Sequence, residues 1–127
     1  MSFESLDCLQ HILAEVEYLL KNSAGLGKDE FVASETLRRA FVRSLEVIGE
    51  ASKKVPENFR QQHPQVAWRA MAAMRDRLIH GYFGVDYELV WDVVKNKAPA
   101  LKRQIEAILK DLAEPTNPQG PPGPAAS

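Results

Sequence analysis

Apolar residues recur at steps of three and four positions along most of the chain, and this periodicity restricts the possible folds more than any other feature. Steps of this kind place apolar side chains on one face of an α-helix. One such stripe opens the chain and consists of Leu6, Leu9, Leu13, Val16 and Leu20. No segment shows the alternation of apolar and polar residues that is typical of a half-buried strand. The sequence therefore predicts an all-α fold.

Glycine, proline and capping residues divide this pattern into separate helices. We expect a first helix of about 16 residues, and further helices over about 29–54, 65–78, 87–97 and, as a last amphipathic stripe, 101–112. Pro56 and Pro64 bracket a segment that fits one helical turn. Gly81 is expected to take a left-handed conformation where a helix ends, and Asp86 is expected to cap the start of the next one. Pro99 either interrupts the helical pattern or marks a first turn.

The C-terminal segment 115–127 differs from the rest of the chain in composition. It reads PTNPQGPPGPAAS and holds five of the eight prolines, but no aromatic or large apolar residue. Such a segment cannot bury enough apolar surface to offset its conformational entropy. We therefore expect one folded domain over residues 1–114 and a disordered tail over residues 115–127.

The composition and motifs exclude several classes of protein. Cys8 is the single cysteine, so no intramolecular disulfide can form. No N-terminal segment resembles a signal peptide, and no apolar run approaches the roughly 20 residues that span a bilayer. The sequence has no Walker loop, Cys/His metal-binding pattern or nucleophile elbow, so we expect no cofactor and no metal. A soluble, cytoplasmic protein without membrane contact is expected.

The charges are unevenly distributed, although the formal net charge is only −1. A nearly neutral chain is not expected to coat nucleic acid in general. Residues 58–84, however, carry four arginines against one aspartate. A basic region of this kind suits a phosphate-bearing ligand. It is equally compatible with a solvated helix face.

The segment Trp68–Tyr82, WRAMAAMRDRLIHGY, lies mostly on one predicted helix and defines three stripes of side chains. The first stripe is typical of ordinary core and consists of Ala67, Met71, Met74 and Leu78. The second places an arginine among apolar residues and consists of Trp68, Ala72, Arg75 and Ile79. Because arginine is rarely buried unless it is paired, this second stripe is expected to face a partner subunit or a cleft.

The third stripe contains Asp76 and His80, which lie one helical turn apart, so that their side chains can meet. A carboxylate beside an imidazole fixes the orientation of the ring. Arg75 and His80 are five residues apart, about 140° around an ideal helix, and do not converge within a straight helix. Convergence requires either an unwound turn at residues 80–81 or two copies that meet across a two-fold axis. The second option fits the partner-facing stripe and predicts a composite site in a homodimer.

An arginine and a histidine without metal ligands suit the transesterification of RNA. The ribose 2′-hydroxyl attacks the adjacent phosphate, a histidine takes or gives the proton, and a guanidinium stabilises the charged phosphorane. Two other interpretations remain open on these residues alone. His80 also fits a helix-end histidine that interacts favourably with the C-terminal dipole, and Arg75 also fits an interfacial salt bridge.

The order of these residues resembles that of a known family. Arg75–Tyr82 matches the pattern R-x-x-x-x-H-x-Y, the signature of HepT-type toxins in the HEPN superfamily. Leu45–Ala51, LEVIGEA, is similar to the family's second-helix signature, and Trp68 precedes the motif at the family's spacing. The resemblance covers roughly residues 5–112 and includes three features after the motif: Tyr82–Phe83, Asp86 and Val90–Trp91.

The resemblance implies an up-and-down, HEPN-like helical bundle that forms a homodimer, with both copies of the motif facing a shared cleft. It implies metal-independent cleavage of RNA, with Arg75 and His80 as the catalytic residues and Asp76 in support. It also implies a cognate antitoxin, an MntA-like minimal nucleotidyltransferase that transfers AMP to the motif tyrosine, here Tyr82. Glu50 fits a structural polar role better than that of a third catalytic group. The alternative function is that of a non-catalytic helical binding subunit of a nucleotidyltransferase complex.

Overall fold

The structure is a computed structural model that describes residues 3–81 and 84–113. Within these residues the chain forms helices only, as the periodicity predicts, and the all-α class is confirmed. The helices are α1 (Phe3–Ser23), α2 (Lys28–Ala33), α3 (Glu35–Lys54), α4 (Glu57–Gln62), α5 (Trp68–Ile79), α6 (Tyr87–Asn96) and α7 (Ala98–Ala113). None of these helices is both long enough and apolar enough to cross a membrane. The predicted tail, residues 115–127, lies outside the described residues.

The predicted second helix is wrong in one respect, because it consists of two helices separated at Ser34. This residue has extended backbone angles, φ −99° and ψ 107°, and its hydroxyl accepts a hydrogen bond from the Leu37 amide at 3.1 Å. A serine side chain that satisfies a free amide at a helix start competes with continuation of the preceding helix. The first helix is also longer than predicted, with 21 residues.

The ends of the later helices agree with the sequence at most positions. The Asp86 carboxylate accepts hydrogen bonds from the amides of Glu88 and Leu89 in the first turn of α6, each at 3.1 Å, as predicted for an N-cap. Pro99 falls in the first turn of α7, where a missing amide hydrogen costs no helical hydrogen bond. The prediction for Gly81 is wrong, because the glycines with positive φ in the described chain are Gly25 and Gly84.

The core lies between α1, α3, α6 and α7, with α2 closing one end. Phe31 of α2 stacks between Phe41 and Trp91, at centroid distances of 5.0 and 5.4 Å. Other apolar residues with no exposed surface come from α1, α6 and α7: Leu9, Ile12, Val16, Leu19, Val90, Val94 and Ile105. Burial of large apolar side chains at about 25 cal/mol per Å² supplies the main favourable term for such a bundle.

Helix α5 is attached to this core on one side only. It packs along α3, while a groove of about 500 Å³ separates it from α6 and α7. Met71 and Met74 are half-buried and line this groove, and Ala67 is exposed. The stripe predicted to be ordinary core is therefore only partly core, because no helix of the same subunit closes the groove.

Candidate active site

A glycine sets the close crossing of α3 and α5. Gly49 is buried, and a Cβ atom added to it would lie 2.6 Å from the main-chain oxygen of Met71 and closer still to the Cβ of Arg75. Only glycine fits at such an approach. The sequence placed Gly49 in the LEVIGEA signature but did not identify this role. The crossing brings the first residue of the R-x-x-x-x-H motif against α3.

Arg75 lies between two carboxylates at this crossing. Its Nη1 atom donates to Asp76 Oδ1 at 3.2 Å, and its Nη2 atom lies 3.9 Å from Glu50 Oε2. The Arg75 side chain keeps only 25% of its accessible surface. The guanidinium is thus paired within its own subunit, which resolves the unusual placement of an arginine among apolar residues.

The Asp76 carboxylate turns towards α3. The same Oδ1 atom that accepts from Arg75 also accepts from Lys53 Nζ at 3.2 Å. The hydrogen bond from Arg75, and then the one from Lys53, lower the pKa of the Asp76 carboxyl below its ordinary value of 3.8. Glu50, Lys53, Arg75 and Asp76 together form what we call the charged cluster.

Lys53 was not among the residues that the motif indicated. Its position does carry a signal, because Lys53 follows Gly49 by four residues and therefore lies on the same face of α3. A residue one turn from a glycine at a helix crossing is placed to contact the opposite helix. Glu50 has the structural contact that its sequence position suggested, although its partner is the central arginine of the motif.

His80 is held by the main chain rather than by a carboxylate. Its Nδ1 atom lies 2.8 Å from the main-chain oxygen of Asp76, and its amide donates to the same oxygen at 3.0 Å. The expected contact between the two side chains is not formed, because the carboxylate is engaged by Arg75 and Lys53. A carbonyl oxygen only accepts hydrogen bonds, so Nδ1 carries the hydrogen and Nε2 of the neutral ring keeps its lone pair.

No hydrogen bond joins Arg75 to His80 in the described residues, although both contact Asp76. Arg75 contacts α3, whereas His80 is exposed and lines a depression of about 390 Å³ together with Arg77, Val85 and Asp86. Helix α5 stays regular to Ile79. The turn at residues 80–81 begins where this helix ends, and in the described residues it does not bring His80 into hydrogen-bonding contact with Arg75.

Comparison with known proteins identifies the family to which this site belongs. Residues 10–108 match the model of the family described as Ribonuclease HepT-like. The chain belongs to the HepT-like ribonuclease family.

Individual relatives support the same assignment. The chain is 47% identical over 102 residues to a protein of Caldanaerobacter subterraneus subsp. tengcongensis named "Putative RNase", which covers 80% of this chain and 91% of the relative. It is 40% identical over 104 residues to the "Probable ribonuclease HepT" of Thermococcus cleftensis, covering 82% of this chain and 94% of the relative. No solved structure matches the chain.

The tryptophan that precedes the motif, Trp68, lies in the core. Trp68 is 5% exposed, donates from Nε1 to the His63 carbonyl at 2.9 Å, and contacts Phe59 edge to face. The prediction that Trp68 faces a partner is therefore wrong, because the turn after α4 folds over the start of α5. Of the apolar residues in this stripe, Ala72 is half-buried and Ile79 is 47% exposed.

Of the other aromatic residues in and after the motif, two are described by the structure and two are not. Trp91 and Tyr87 pack within the described chain: the Trp91 ring stacks on Phe31, and the Tyr87 ring lies 4.8 Å from the Arg38 guanidinium carbon. Tyr82, the predicted acceptor of AMP, and Phe83 lie outside the described residues.

Proposed function

We propose that this chain is a metal-independent endoribonuclease and the toxin of a toxin–antitoxin system. The observation that carries the proposal is the state of the motif pair in a HepT-like chain. His80 is oriented through Nδ1 and presents a free Nε2, while Arg75 is held at the surface of the same helix. Both groups that transesterification of RNA requires are therefore in a usable form.

The reaction needs no group from outside the protein and the RNA. The ribose 2′-oxygen bonds to the adjacent phosphorus as its proton passes to a base, and the bond from phosphorus to the 5′-oxygen breaks. The leaving oxygen takes a proton, which gives a 2′,3′-cyclic phosphate and a 5′-hydroxyl. His80 Nε2 fits the proton-transfer role, and the Arg75 guanidinium fits stabilisation of the charged phosphorane. The Asp76 carboxylate supports Arg75 by accepting its hydrogen bond, and the main-chain oxygen of Asp76 orients His80.

The proposed active unit is a homodimer with a composite site. No hydrogen bond joins Arg75 to His80 within the described chain, and a site that takes Arg75 from one copy and His80 from the other across a two-fold axis would bring the two groups together. The exposed Ile79, the half-buried Ala72 and the open groove beside α5 support this proposal as apolar surface available for a second copy.

Regulation by a cognate MntA-like nucleotidyltransferase completes the proposal. The Tyr82 phenol oxygen attacks the α-phosphorus of ATP, pyrophosphate leaves, and AMP stays on the tyrosine. A phenol has an ordinary pKa near 10, so the antitoxin must supply the base that removes the proton. Since Tyr82 follows His80 by two residues, the added adenosine and negative charge would compete with RNA for the site.

One observation favours the alternative function. Arg75 is paired with Glu50 and Asp76 rather than with His80. If that pairing is its whole role, the chain is a non-catalytic helical subunit that binds a nucleotidyltransferase.

Cleavage of single-stranded RNA in excess EDTA separates the two functions. We expect the unmodified protein to cut and to leave a 2′,3′-cyclic phosphate, identified by mass spectrometry of the fragments. Arg75→Ala should abolish cutting, whereas Arg69→Ala, at an exposed position of the same helix, should not. Absence of cleavage would favour the binding subunit, and a strict requirement for an added divalent metal would overturn the mechanism.

A further inference from the structure

Two cations from two different helices meet on a single oxygen atom in the charged cluster. Lys53 Nζ of α3 and Arg75 Nη1 of α5 each lie 3.2 Å from Asp76 Oδ1. The two nitrogen atoms can be no farther apart than the sum of these distances. The Lys53 side chain is 46% exposed, so solvent and a ligand can reach it.

Lys53 sets the net charge of the charged cluster. Glu50 and Asp76 contribute two negative charges, and Arg75 and Lys53 contribute two positive charges, so the cluster is neutral. Without Lys53 it would carry one net negative charge. A phosphodiester that approaches Arg75 would then meet a repulsive surface, because charges at such distances interact appreciably even near water.

We infer that Lys53 is a second RNA-binding cation of this site and contacts the backbone phosphate that Arg75 engages. This inference rests on the proposed function. An ammonium carries three donors, and the described contact with Asp76 uses one of them. The remaining donors can point to a phosphate oxygen without breaking the contact with Asp76. Arg75 provides a planar fork and Lys53 a movable point charge, which are complementary ways of holding one phosphate.

The adjacent Lys54 provides a matched control. Lys53→Gln and Lys54→Gln remove the same charge from neighbouring exposed positions of α3. Lys54 lies on a different side of the helix, since its charge acts on the pKa of the Cys8 thiol in α1. If RNA binding weakens only because the protein has lost one positive charge, both variants should therefore show the same loss.

The experiment uses one short single-stranded RNA and its 2′-O-methyl counterpart, which binds but cannot undergo attack by a 2′-hydroxyl. Cleavage of the RNA gives KM and kcat, and fluorescence anisotropy with the 2′-O-methyl strand gives Kd. Both are measured across a series of salt concentrations. Thermal unfolding of each variant shows whether the fold is kept.

Loss of Lys53 should weaken binding and leave the chemical step nearly intact. We expect Lys53→Gln to raise KM and Kd roughly two- to fivefold, the range for one exposed charge contact. Its kcat should stay within about twofold of wild type, as for loss of uniform binding. The slope of log Kd against log salt should fall by about 0.7, the value for one lost phosphate contact on a single strand. Lys53→Arg should restore the slope, and Lys54→Gln should keep it.

Other results would overturn the inference. If Lys53→Gln and Lys54→Gln give the same Kd and salt slope, Lys53 only joins α3 to α5. The same conclusion follows if Lys53→Gln changes kcat or the melting temperature alone. If the wild-type protein cleaves RNA and Lys53→Gln has the same KM, Kd and salt slope, this inference is wrong but the proposed function stands. A wild-type protein that neither binds nor cleaves RNA defeats both.

Discussion

The Nδ1 atom of His80 lies 2.8 Å from the main-chain oxygen of Asp76, one helical turn earlier. Any residue at position 76 would provide this oxygen, so the orientation of the imidazole does not depend on the Asp76 carboxylate. The carboxylate instead holds Arg75 and Lys53. The sequence predicted that the Asp76 side chain would orient His80. In the structure the main-chain oxygen of Asp76 orients His80, and its side chain holds Arg75 and Lys53.

His80→Asn should separate the orienting contact from proton transfer. The asparagine amide nitrogen stands near the position of Nδ1 and can donate to the Asp76 oxygen, but nothing replaces Nε2. We expect kcat for RNA cleavage to fall by about 10²–10⁴, the usual contribution of a positioned proton-transfer group, with an unchanged melting temperature. His11→Asn, at an exposed position of α1, should cleave normally. Near-normal cleavage by His80→Asn would remove His80 from the mechanism.

Asp76 should titrate below its ordinary carboxyl pKa of 3.8 in the folded protein. Carbon-13 NMR of the side-chain carboxyl measures this directly, and Lys53→Gln should move the pKa back towards the ordinary value. Because the folded-state pKa is lowered, the pairing stabilises the fold fully above pH 3.8 and loses this contribution as pH falls through the folded-state value. Asp76→Asn should remove this part of the acid dependence. An Asp76 pKa at or above 3.8 would contradict the contacts with Arg75 and Lys53.

Gly49→Ala should damage both stability and activity. The added methyl group would lie 2.6 Å from the Met71 carbonyl oxygen and overlap Arg75. Overpacking of this kind costs typically about 1–3 kcal/mol in the free energy of unfolding, which exceeds the gain of about 1 kcal/mol for alanine over glycine in a helix. Displacement of Arg75 should lower kcat/KM by about tenfold or more.

Lys54→Ala is the control for that substitution, since it lies on the same helix at an exposed position. It should change the free energy of unfolding by less than about 0.5 kcal/mol. Urea unfolding and initial rates of RNA cleavage measure the two effects. A Gly49→Ala protein as stable and as active as wild type would show that α3 and α5 do not cross this closely.

The helices could be predicted from the sequence because apolar residues recur at helical spacing along most of the chain. The interruption at Ser34 could not, since apolar residues continue on both sides and one hydroxyl group decides the break. Trp68 has the spacing of an exposed stripe, but its burial depends on a turn after α4 that no periodicity encodes. Short-range patterns specify helices, whereas contacts between helices determine which stripe remains free.

In the candidate site, too, the short-range pattern could be read from the sequence, whereas the contacts between helices could not. The order of Arg75 and His80 is a sequence property and could be identified directly. The partners of Arg75 come from α3, and their placement depends on the crossing at Gly49, which is a tertiary feature. Lys53 could have been suspected from its spacing to Gly49, but its pairing with Asp76 needs the relative rotation of two helices.

Tyr82→Phe should keep the nuclease activity and remove its regulation by the antitoxin. Phenylalanine keeps the ring and removes the hydroxyl that is proposed to accept AMP. We expect the variant to cleave RNA appreciably but to gain no AMP, measured by intact mass, after treatment with the cognate nucleotidyltransferase and ATP. The wild-type chain should gain one or more AMP masses and stop cleaving while it stays folded.

Tyr87→Phe is the matched control and should be modified as the wild type is. If Tyr82→Phe still gains AMP and loses activity, the acceptor is another residue, and Tyr87 is the next candidate. If neither the wild type nor Tyr82→Phe gains mass, the antitoxin inhibits by binding and the assignment of Tyr82 is wrong.

Arg75→Ala and His80→Ala subunits should complement each other if each site takes Arg75 from one subunit and His80 from the other. In a heterodimer of the two variants, one site lacks both groups and the other has both intact. Co-expression with two different affinity tags allows the heterodimer to be isolated from the homodimers. It should cleave RNA at about half the wild-type rate, whereas each homodimer should be nearly inactive.

A site built within one subunit gives the opposite result. One chain of the heterodimer then lacks the guanidinium and the other lacks the imidazole, so neither site works and the heterodimer is as inactive as its parents. Ala72→Glu tests the interface independently, because a charge at this half-buried position should yield monomers by light scattering, while Ala73→Glu, at the exposed neighbouring position, should leave dimers. If the Ala72→Glu protein is monomeric and still cleaves RNA at the wild-type rate, Arg75 and His80 must act from the same chain, and a rearrangement after Ile79 must bring them together.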